Sequence, residues 1–248
     1  MTIKRLLIAN RGEIASRIIS SAHDMGISCV AIYTEADKDT PYVREADQAF
    51  KLSDSYLNSK EILDIALKSN SDAIHPGYGF LSENAAFANQ VKKLNIKWVG
   101  PSSNAIKKMG DKLTAKEIAI KANVPTLPMT SDPKKANSIG YPILVKAAAG
   151  GGGKGMRIVE KAKDLKEYIK AAEREAEGCF GDKRVFLERY IKRSRHIEIQ
   201  ILGDSFGNIV HLGERECSIQ RRHQKIIEES PSPMVDDEMR EKMGEAAI

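Results

Sequence analysis

The densest group of residues able to do polar chemistry lies near the end of the chain, in Gln220–Lys225. Three cations and His223 occupy the last five positions of this run. A surface strand does not ordinarily require so many positive charges, so the pattern favours a site that handles anions such as phosphates. The alternative is a solvated surface on which these cations pair with Glu228 and Glu229.

A glycine-rich segment between Lys146 and residue 156 is a second candidate anion site, with five glycines in the six positions 150–155. A dinucleotide-binding fingerprint needs a helix after its glycines, whereas Met156–Val159 has the apolar pattern of a strand. A P-loop needs Ser or Thr after its lysine, but Gly155 follows Lys154. We therefore predict a glycine hairpin whose amides close over phosphates, with Lys146 pointing at the same group. The alternative is a flexible surface linker.

Polar side chains also alternate along two later strands. Glu188 and Tyr190 share one face of the predicted strand 184–191, and His196 and Glu198 share one face of the next. The spacing of His196 and Glu198 occurs in zinc deaminases, but the partner PCxxC motif is absent. The three cysteines are far apart and form no CxxC, so neither a disulfide framework nor a cysteine zinc site is indicated.

The elements that must position these residues change character along the chain. Strands and helices alternate over the first 100 residues or so, which predicts a doubly wound, Rossmann-like parallel sheet. Its predicted strands are 4–9, 28–33, 72–75 and 96–100, with helices at 14–23, 58–70 and 82–94. Helices at 102–109 and 112–122 follow. Beyond residue 125 we predict a mixed α+β region with strands 141–147, 156–159, 184–191, 196–202 and 208–213, and helices at 163–177 and from 236. Gly203–Gly207 predicts a hairpin.

The amino-acid composition excludes several classes of protein but does not identify a function. The 248 residues are 42% hydrophobic and 29% charged, and no apolar run approaches the roughly 20 residues of a membrane helix. The N-terminus shows neither a signal nor a transit pattern, so we expect a cytoplasmic protein without a membrane partner. Residues 181–225 hold ten basic and six acidic residues, which is +4 of the net +5. Because these cations lie among glutamates, they favour a compact anionic ligand over nucleic acid.

Five motifs together resemble one family, biotin carboxylase, the ATP-grasp component of biotin-dependent carboxylases. In chain order they are ANRGEIA at 9–15, HPGYGFLSEN at 75–84, MGDK at 109–112, the glycine segment, and QRRHQK at 220–225. The resemblance implies an α/β N-terminal domain over residues 1–115. It implies an ATP-grasp domain over residues 116–248 that is incomplete at its C-terminus, with the glycine hairpin as a lid over ATP.

The resemblance also implies roles for particular residues. It implies that the side chains of Lys112 and Lys146 contact the phosphates of ATP. It also implies that the backbone amides of Gly152 and Gly153 belong to the lid over ATP. It places four residues in a hinge strand beside the adenine: Glu188, Arg189, Tyr190 and Ile191. It directs three side chains to the ribose or phosphates: His196, Gln220 and His223. Lys225 would lie by bicarbonate, so that Lys225 and His223 are the candidate catalytic residues.

The chemistry implied by the resemblance has two stages. Bicarbonate attacks the γ-phosphate of ATP to give carboxyphosphate and ADP, and the CO₂ released then carboxylates N1′ of biotin on a carrier. Mg²⁺ is expected to bridge the phosphates. The expected partners are a biotin carboxyl carrier, a carboxyltransferase and a second copy of the chain in a homo-oligomer.

A block resembling EMNxRxQVEH, which carries the family's metal-binding glutamates and catalytic arginine, has no match in the sequence. We therefore expect the Mg²⁺ ligands beyond residue 248 and a chain that is inactive alone. Two alternatives stay open: a non-catalytic nucleotide-binding fragment, and another ATP-grasp ligase such as a carbamoyl-phosphate synthase, against which HPGYGFLSEN argues. The motifs do not distinguish acetyl-CoA, propionyl-CoA, 3-methylcrotonyl-CoA and pyruvate carboxylases.

Overall fold

The computed structural model describes residues 2–149, 155–221 and 224–248. The chain forms two compact units, Met1–Gly110 and Asp111–Ile248. The predicted domain boundary at residue 115 falls inside the helix Lys112–Lys121. Within the described ranges, no helix is both long and apolar enough to cross a membrane.

The first unit is a five-stranded parallel sheet with helices on both faces, as the alternation of elements predicts. Its strands are β1 (Arg5–Ile8), β2 (Ser28–Tyr33), β3 (Gln48–Lys51), β4 (Ala73–His75) and β5 (Lys97–Trp98), in the order β3-β2-β1-β4-β5. Its helices are α1 (Gly12–Asp24), α2 (Pro41–Glu45), α3 (Ser59–Lys68), α4 (Ala85–Lys93) and α5 (Ser103–Gly110).

Two hydrophobic cores, one on each face, hold this sheet. Val30 and Ile32 of β2 pack into one core, while Cys29 and Ala31 pack into the other. All four side chains are buried. A parallel strand covered by helices on both faces is apolar along its whole length, which explains why β2 is readily recognised from the sequence.

The second unit contains two antiparallel sheets. The first has the order β6-β9-β7-β8, and the second has the order β10-β11-β12. The strands are β6 (Met129–Thr130), β7 (Ile143–Ala147), β8 (Arg157–Val159), β9 (Val185–Arg189), β10 (Ile197–Gly203), β11 (Ile209–Arg221) and β12 (Gln224–Glu229). The helices are α6 (Lys112–Lys121), α7 (Ala136–Ile139), α8 (Leu165–Phe180) and α9 (Asp237–Ala247).

Side-chain alternation along β7 determines which residues face the candidate site. Ile143 and Val145 are buried in a core with Ala172 of α8, so Leu144 and Lys146 project from the opposite face of the sheet. The strands on either side of the glycine segment pair antiparallel, with Ile143 opposite Val159. This pairing confirms the strands predicted before and after the glycines.

Candidate functional site

Lys146 and Glu188 lie on the face of the β6-β9-β7-β8 sheet that is turned away from α8. Leu144 pairs with Glu188 and Lys146 pairs with Phe186, so Lys146 and Glu188 are diagonal neighbours across β7 and β9. Lys146 Nζ donates a hydrogen bond of 3.0 Å to Glu188 Oε2. The same ammonium lies 5.7 Å from the ring centroid of Phe186, within the range of a cation–π contact.

Helix α6 brings two more lysines to this face. Its N-cap is Asp111, whose Oδ1 accepts a 2.9 Å hydrogen bond from the amide of Thr114. Asp111 Oδ2 accepts a 2.8 Å hydrogen bond from Arg184 Nη2, which ties the start of α6 to the chain entering β9. Lys112 and Lys116 are four residues apart and therefore share one side of the helix.

Glu188 accepts hydrogen bonds from both Lys116 and Lys146. The side chains of Lys116 and Glu188 are each only 12% exposed, so this pair is largely withdrawn from water. Burial raises the pKa of Glu188, but the hydrogen bond from Lys116 and the charge of Lys146 outweigh burial and hold that pKa below its usual range. Glu188 is therefore a carboxylate at neutral pH.

Lys112 completes a group that we call the lysine cluster: Lys112, Lys116, Lys146 and Glu188. Lys112 Nζ donates to the carbonyl oxygen of Ala147 at 3.0 Å and to that of Ala149 at 3.4 Å, at the end of β7. Burial lowers the pKa of Lys112, and the positive charge of Lys146 lowers it further. Three ammoniums against one carboxylate leave a formal excess of positive charge, which an anion carrying several charges would relieve.

A cavity of about 540 Å³ lies at the β8 edge of the same sheet. Its walls include Leu144, Met156, Ile158 and Tyr190. The rest of its lining is Arg157 of β8 and, from α8, Glu167, Tyr168 and Ala171. This volume is in the range of small-molecule sites, and the apolar and aromatic part of the lining suits a flat heterocycle. Tyr190, predicted to lie beside adenine, is thus placed at a cavity.

The other two predicted hinge residues are placed differently. Arg189 pairs with Ile143 across the sheet, and its Nη1 donates to the carbonyl oxygen of Ile139 at 3.3 Å. Its guanidinium therefore lies on the α8 side, away from Lys146, and its backbone amide donates to the carbonyl oxygen of Pro128 at 3.0 Å. Ile191 is exposed and follows the end of β9.

The β10-β11-β12 sheet brings together a second group, which we call the strand cluster: His196, Glu198, Arg215, Gln220 and Lys225. Gln220 Nε2 lies 2.6 Å from His196 Nδ1. Lys225 Nζ donates to Glu198 Oε1 at 2.6 Å, and Arg215 Nη2 lies 2.5 Å from the same oxygen. The hydrogen bond to Glu198 raises the pKa of Lys225, so its ammonium is fully protonated at neutral pH.

Three predicted site residues, Gly152, Gly153 and His223, lie outside the described residues. Lys116 and Arg215, which belong to the two clusters, were not among the residues predicted from the sequence. For Lys116 the signal was present, because it stands one helical turn after Lys112. Its partner Glu188 is far away in the sequence, so only the fold reveals that the two meet.

The carboxylates of the two clusters do not fit a magnesium site. Glu188 is held by two lysines. Glu198, Cys217 and Glu228 bring three donor atoms within 4.8 Å of one another, but both carboxylates are paired with cations. A thiol is a soft ligand, whereas Mg²⁺ prefers oxygen. We therefore assign no metal to these residues.

Family models match both units. The model described as biotin carboxylase, N-terminal domain, matches residues 2–106. The model described as carbamoyl-phosphate synthase L chain, ATP binding domain, matches residues 86–248.

Among curated relatives, the chain is 51% identical to biotin carboxylase 1 of Bacillus subtilis, covering 99% of this chain and 58% of the relative. It is 50% identical to the alpha subunit of the mitochondrial methylcrotonoyl-CoA carboxylase of Dictyostelium discoideum, covering 99% of this chain and 37% of the relative. It is 48% identical to the propionyl-CoA carboxylase alpha chain of Ruegeria pomeroyi, covering 98% of this chain and 38% of the relative. The chain thus spans between 37% and 58% of the length of these relatives.

Solved structures show the same likeness. A biotin carboxylase–β,γ-ATP complex from Campylobacter jejuni has a TM-score of 0.95 and 48% identity, covering 99% of this chain and 58% of that one. The dimeric biotin carboxylase domain of Hydrogenobacter thermophilus 2-oxoglutarate carboxylase, in complex with MgADP, ADP and bicarbonate, has a TM-score of 0.94 and 44% identity. That comparison covers 100% of this chain and 57% of the other.

Proposed function

The chain belongs to the biotin carboxylase family, and we propose that its second unit binds ATP for the biotin carboxylase reaction. The observation that carries this proposal is the lysine cluster, in which three ammoniums converge at the end of β7 on one face of the sheet. Phosphoryl transfer demands mainly positioning and neutralisation of charge on phosphate oxygens, and this cluster can supply both. Related proteins of known structure were crystallised with an ATP analogue or with ADP and bicarbonate.

In the proposed reaction, Lys112 and Lys146 bind the phosphates while the cavity beside Tyr190 holds adenine. His196 and Gln220 contact ribose or phosphate, and Lys225 holds the bicarbonate anion. An oxygen of bicarbonate forms a bond to the γ-phosphorus, and the bond from that phosphorus to the ADP oxygen breaks. Carboxyphosphate then splits into CO₂ and phosphate, and N1′ of biotin forms a bond to CO₂ and loses its proton to phosphate.

The remaining parts of the proposal concern three predicted site residues, the metal ion and the partner proteins. The roles expected of Gly152, Gly153 and His223 stay predictions, because these residues lie outside the described part of the chain. Mg²⁺ accompanies the nucleotide. A biotin carboxyl carrier presents the biotin, a carboxyltransferase receives the product, and the protein forms a homo-oligomer. Cytoplasmic location stays a prediction. Because the relatives include carboxylases for several acceptors, the acceptor is left unassigned.

Isothermal titration of the purified chain with MgATP tests the proposal. We expect saturable binding of one ATP per chain, and we expect Lys112→Met to weaken it by about tenfold, since a hydrogen bond to a charged group contributes about 1.5–3 kcal/mol. Lys163→Met is the matched control, because Lys163 is exposed and lies outside the cluster. If the wild-type chain shows no saturable ATP binding, the proposed function is wrong.

A further inference from the structure

We propose that Lys116 is a positioning residue for nucleotide binding: it keeps Glu188 neutralised so that Lys146 is free to bind phosphate. This inference rests on the proposed function and assigns a role to a residue that the family resemblance leaves without one. It starts from the observation that the two oxygens of Glu188 are divided between two lysines. Lys116 donates to Oε1, and Lys146 donates to Oε2.

The two lysines that contact Glu188 differ in their exposure to solvent. Lys116 is 12% exposed and comes from the middle of α6, whereas Lys146 is 25% exposed. Lys112 is the other lysine of the cluster that is predicted to bind phosphate. It lies close enough to Lys146 that the positive charge of Lys146 lowers the pKa of Lys112. Lys146 is thus the more accessible partner of Glu188 and faces the region where we place the phosphates.

Binding of phosphate at Lys146 creates an electrostatic problem at Glu188. If Lys146 turns from Glu188 to a phosphate oxygen, a largely buried carboxylate loses one counter-ion just as a polyanion arrives beside it. A buried charge without a partner is strongly unfavourable. The hydrogen bond from Lys116 removes most of this penalty, because Glu188 keeps one ammonium throughout.

Without Lys116, Lys146 would be the only counter-ion that the described contacts give to Glu188. It would then be held by Glu188 and would be less available to the nucleotide. The cluster would also lose one of its three positive charges. Both effects weaken the binding of polyphosphates and leave the binding of adenosine nearly unchanged, because adenosine has no phosphate for Lys146.

A thermodynamic cycle tests whether Lys116 acts through Glu188. Binding of ADP and of adenosine is measured by titration for the wild type, Lys116→Met, Glu188→Gln and the double variant, with folding checked by thermal melting. We expect Lys116→Met to weaken ADP binding by about tenfold, in line with the loss of a charge-assisted interaction, and to change adenosine binding by less than about twofold. In the Glu188→Gln background, where no carboxylate needs a counter-ion, we expect the effect of Lys116→Met on ADP to fall below about threefold.

Two further variants control for helix stability and charge. Lys121→Met removes an exposed lysine from the last turn of α6 and should leave ADP binding unchanged. Lys116→Arg keeps the charge and should restore most of the affinity. Should Lys116→Met alone fail to fold, Lys116→Gln, which removes the charge but keeps a polar side chain, takes its place in both backgrounds of the cycle.

The inference is overturned if Lys116→Met leaves ADP binding unchanged, or if its full effect persists in the Glu188→Gln background, which would indicate direct contact with phosphate. An equal loss of adenosine and ADP binding would indicate a general structural role and would also overturn it. Failure of the wild type to bind ADP would instead remove the proposed function on which the inference rests.

Discussion

At the scale of the residue, Asn10 explains why two sequence motifs of the first unit occur together. Its Nδ2 donates hydrogen bonds of 2.7 Å to the carbonyl oxygens of Pro76 and Tyr78, in the loop after β4. Asn10 is only 1% exposed, so these bonds are shielded from water. Gly77 between them has a φ of +61°, and a Cβ there would lie 2.7 Å from Asn10 Nδ2. The motif at 9–15 and the motif at 75–84 are thus two sides of one packed contact.

We therefore expect Asn10→Ala to lower the free energy of unfolding by about 1–3 kcal/mol, the usual effect of leaving buried carbonyl groups without their donor. Chemical denaturation at neutral pH measures this change. Asn104→Ala, which alters an exposed asparagine on α5, is the matched control and should shift stability by less than about 0.5 kcal/mol. Equal stability of Asn10→Ala and the control would contradict the role given to Asn10.

At the scale of the element, the sequence predicted the buried elements and missed several short or exposed ones. Of the 13-residue strand β11, only the part within 208–213 was predicted. The strand at 28–33 was predicted with the bounds that β2 has, because its side chains are apolar on both faces. The edge strand β3 was missed, since three of its four side chains are exposed and carry no apolar alternation. β12 was missed because five of its six residues are exposed and three are charged, and it is recognised as a strand by its pairing with β11.

Helix α9 offers a prediction about pH, because one buried ion pair fastens it to β11. Arg240 Nε and Nη2 donate to Glu214 Oε2 and Oε1 at 2.8 and 2.9 Å, and the Glu214 side chain is 1% exposed. The hydrogen bonds from Arg240 lower the pKa of Glu214 from 4.5 to about 2, although burial opposes them. A carboxyl whose pKa is lower in the folded state stabilises the fold above its unfolded pKa, and this contribution is lost as pH falls through the folded pKa.

We expect Arg240→Met to destabilise the chain by about 1–3 kcal/mol at pH 7, since Glu214 would lose its charged partner. The difference from wild type should stay constant down to a pH of about 4.5 and then shrink as pH approaches about 2. Urea denaturation across this range measures the difference. Lys242→Met, which breaks an exposed pair with Glu238, is the control and should have little effect at any pH. A difference that grows on acidification would refute this account of Glu214.

At the scale of the whole molecule, the motifs revealed the family but only part of the candidate site. The motifs pointed to Lys112 and Lys146, and these two residues do lie in one cluster at the end of β7. The convergence of Lys116 on Glu188 could not be predicted, because it depends on how α6 lies against a sheet whose strands are far apart in sequence. The same holds for Arg215 and Glu198, which meet across two antiparallel strands.

The central claim is that the lysine cluster recognises the phosphates of an adenine nucleotide, and one titration series tests it most directly. Adenosine, AMP, ADP and ATP are each titrated into the wild-type chain and into Lys146→Met. We expect the affinity of the wild type to rise with the number of phosphates. We expect Lys146→Met to lower the affinity for ATP by about tenfold and to leave the affinity for adenosine unchanged. Affinities independent of phosphate number in the wild type, or a rise that Lys146→Met leaves intact, would contradict the account.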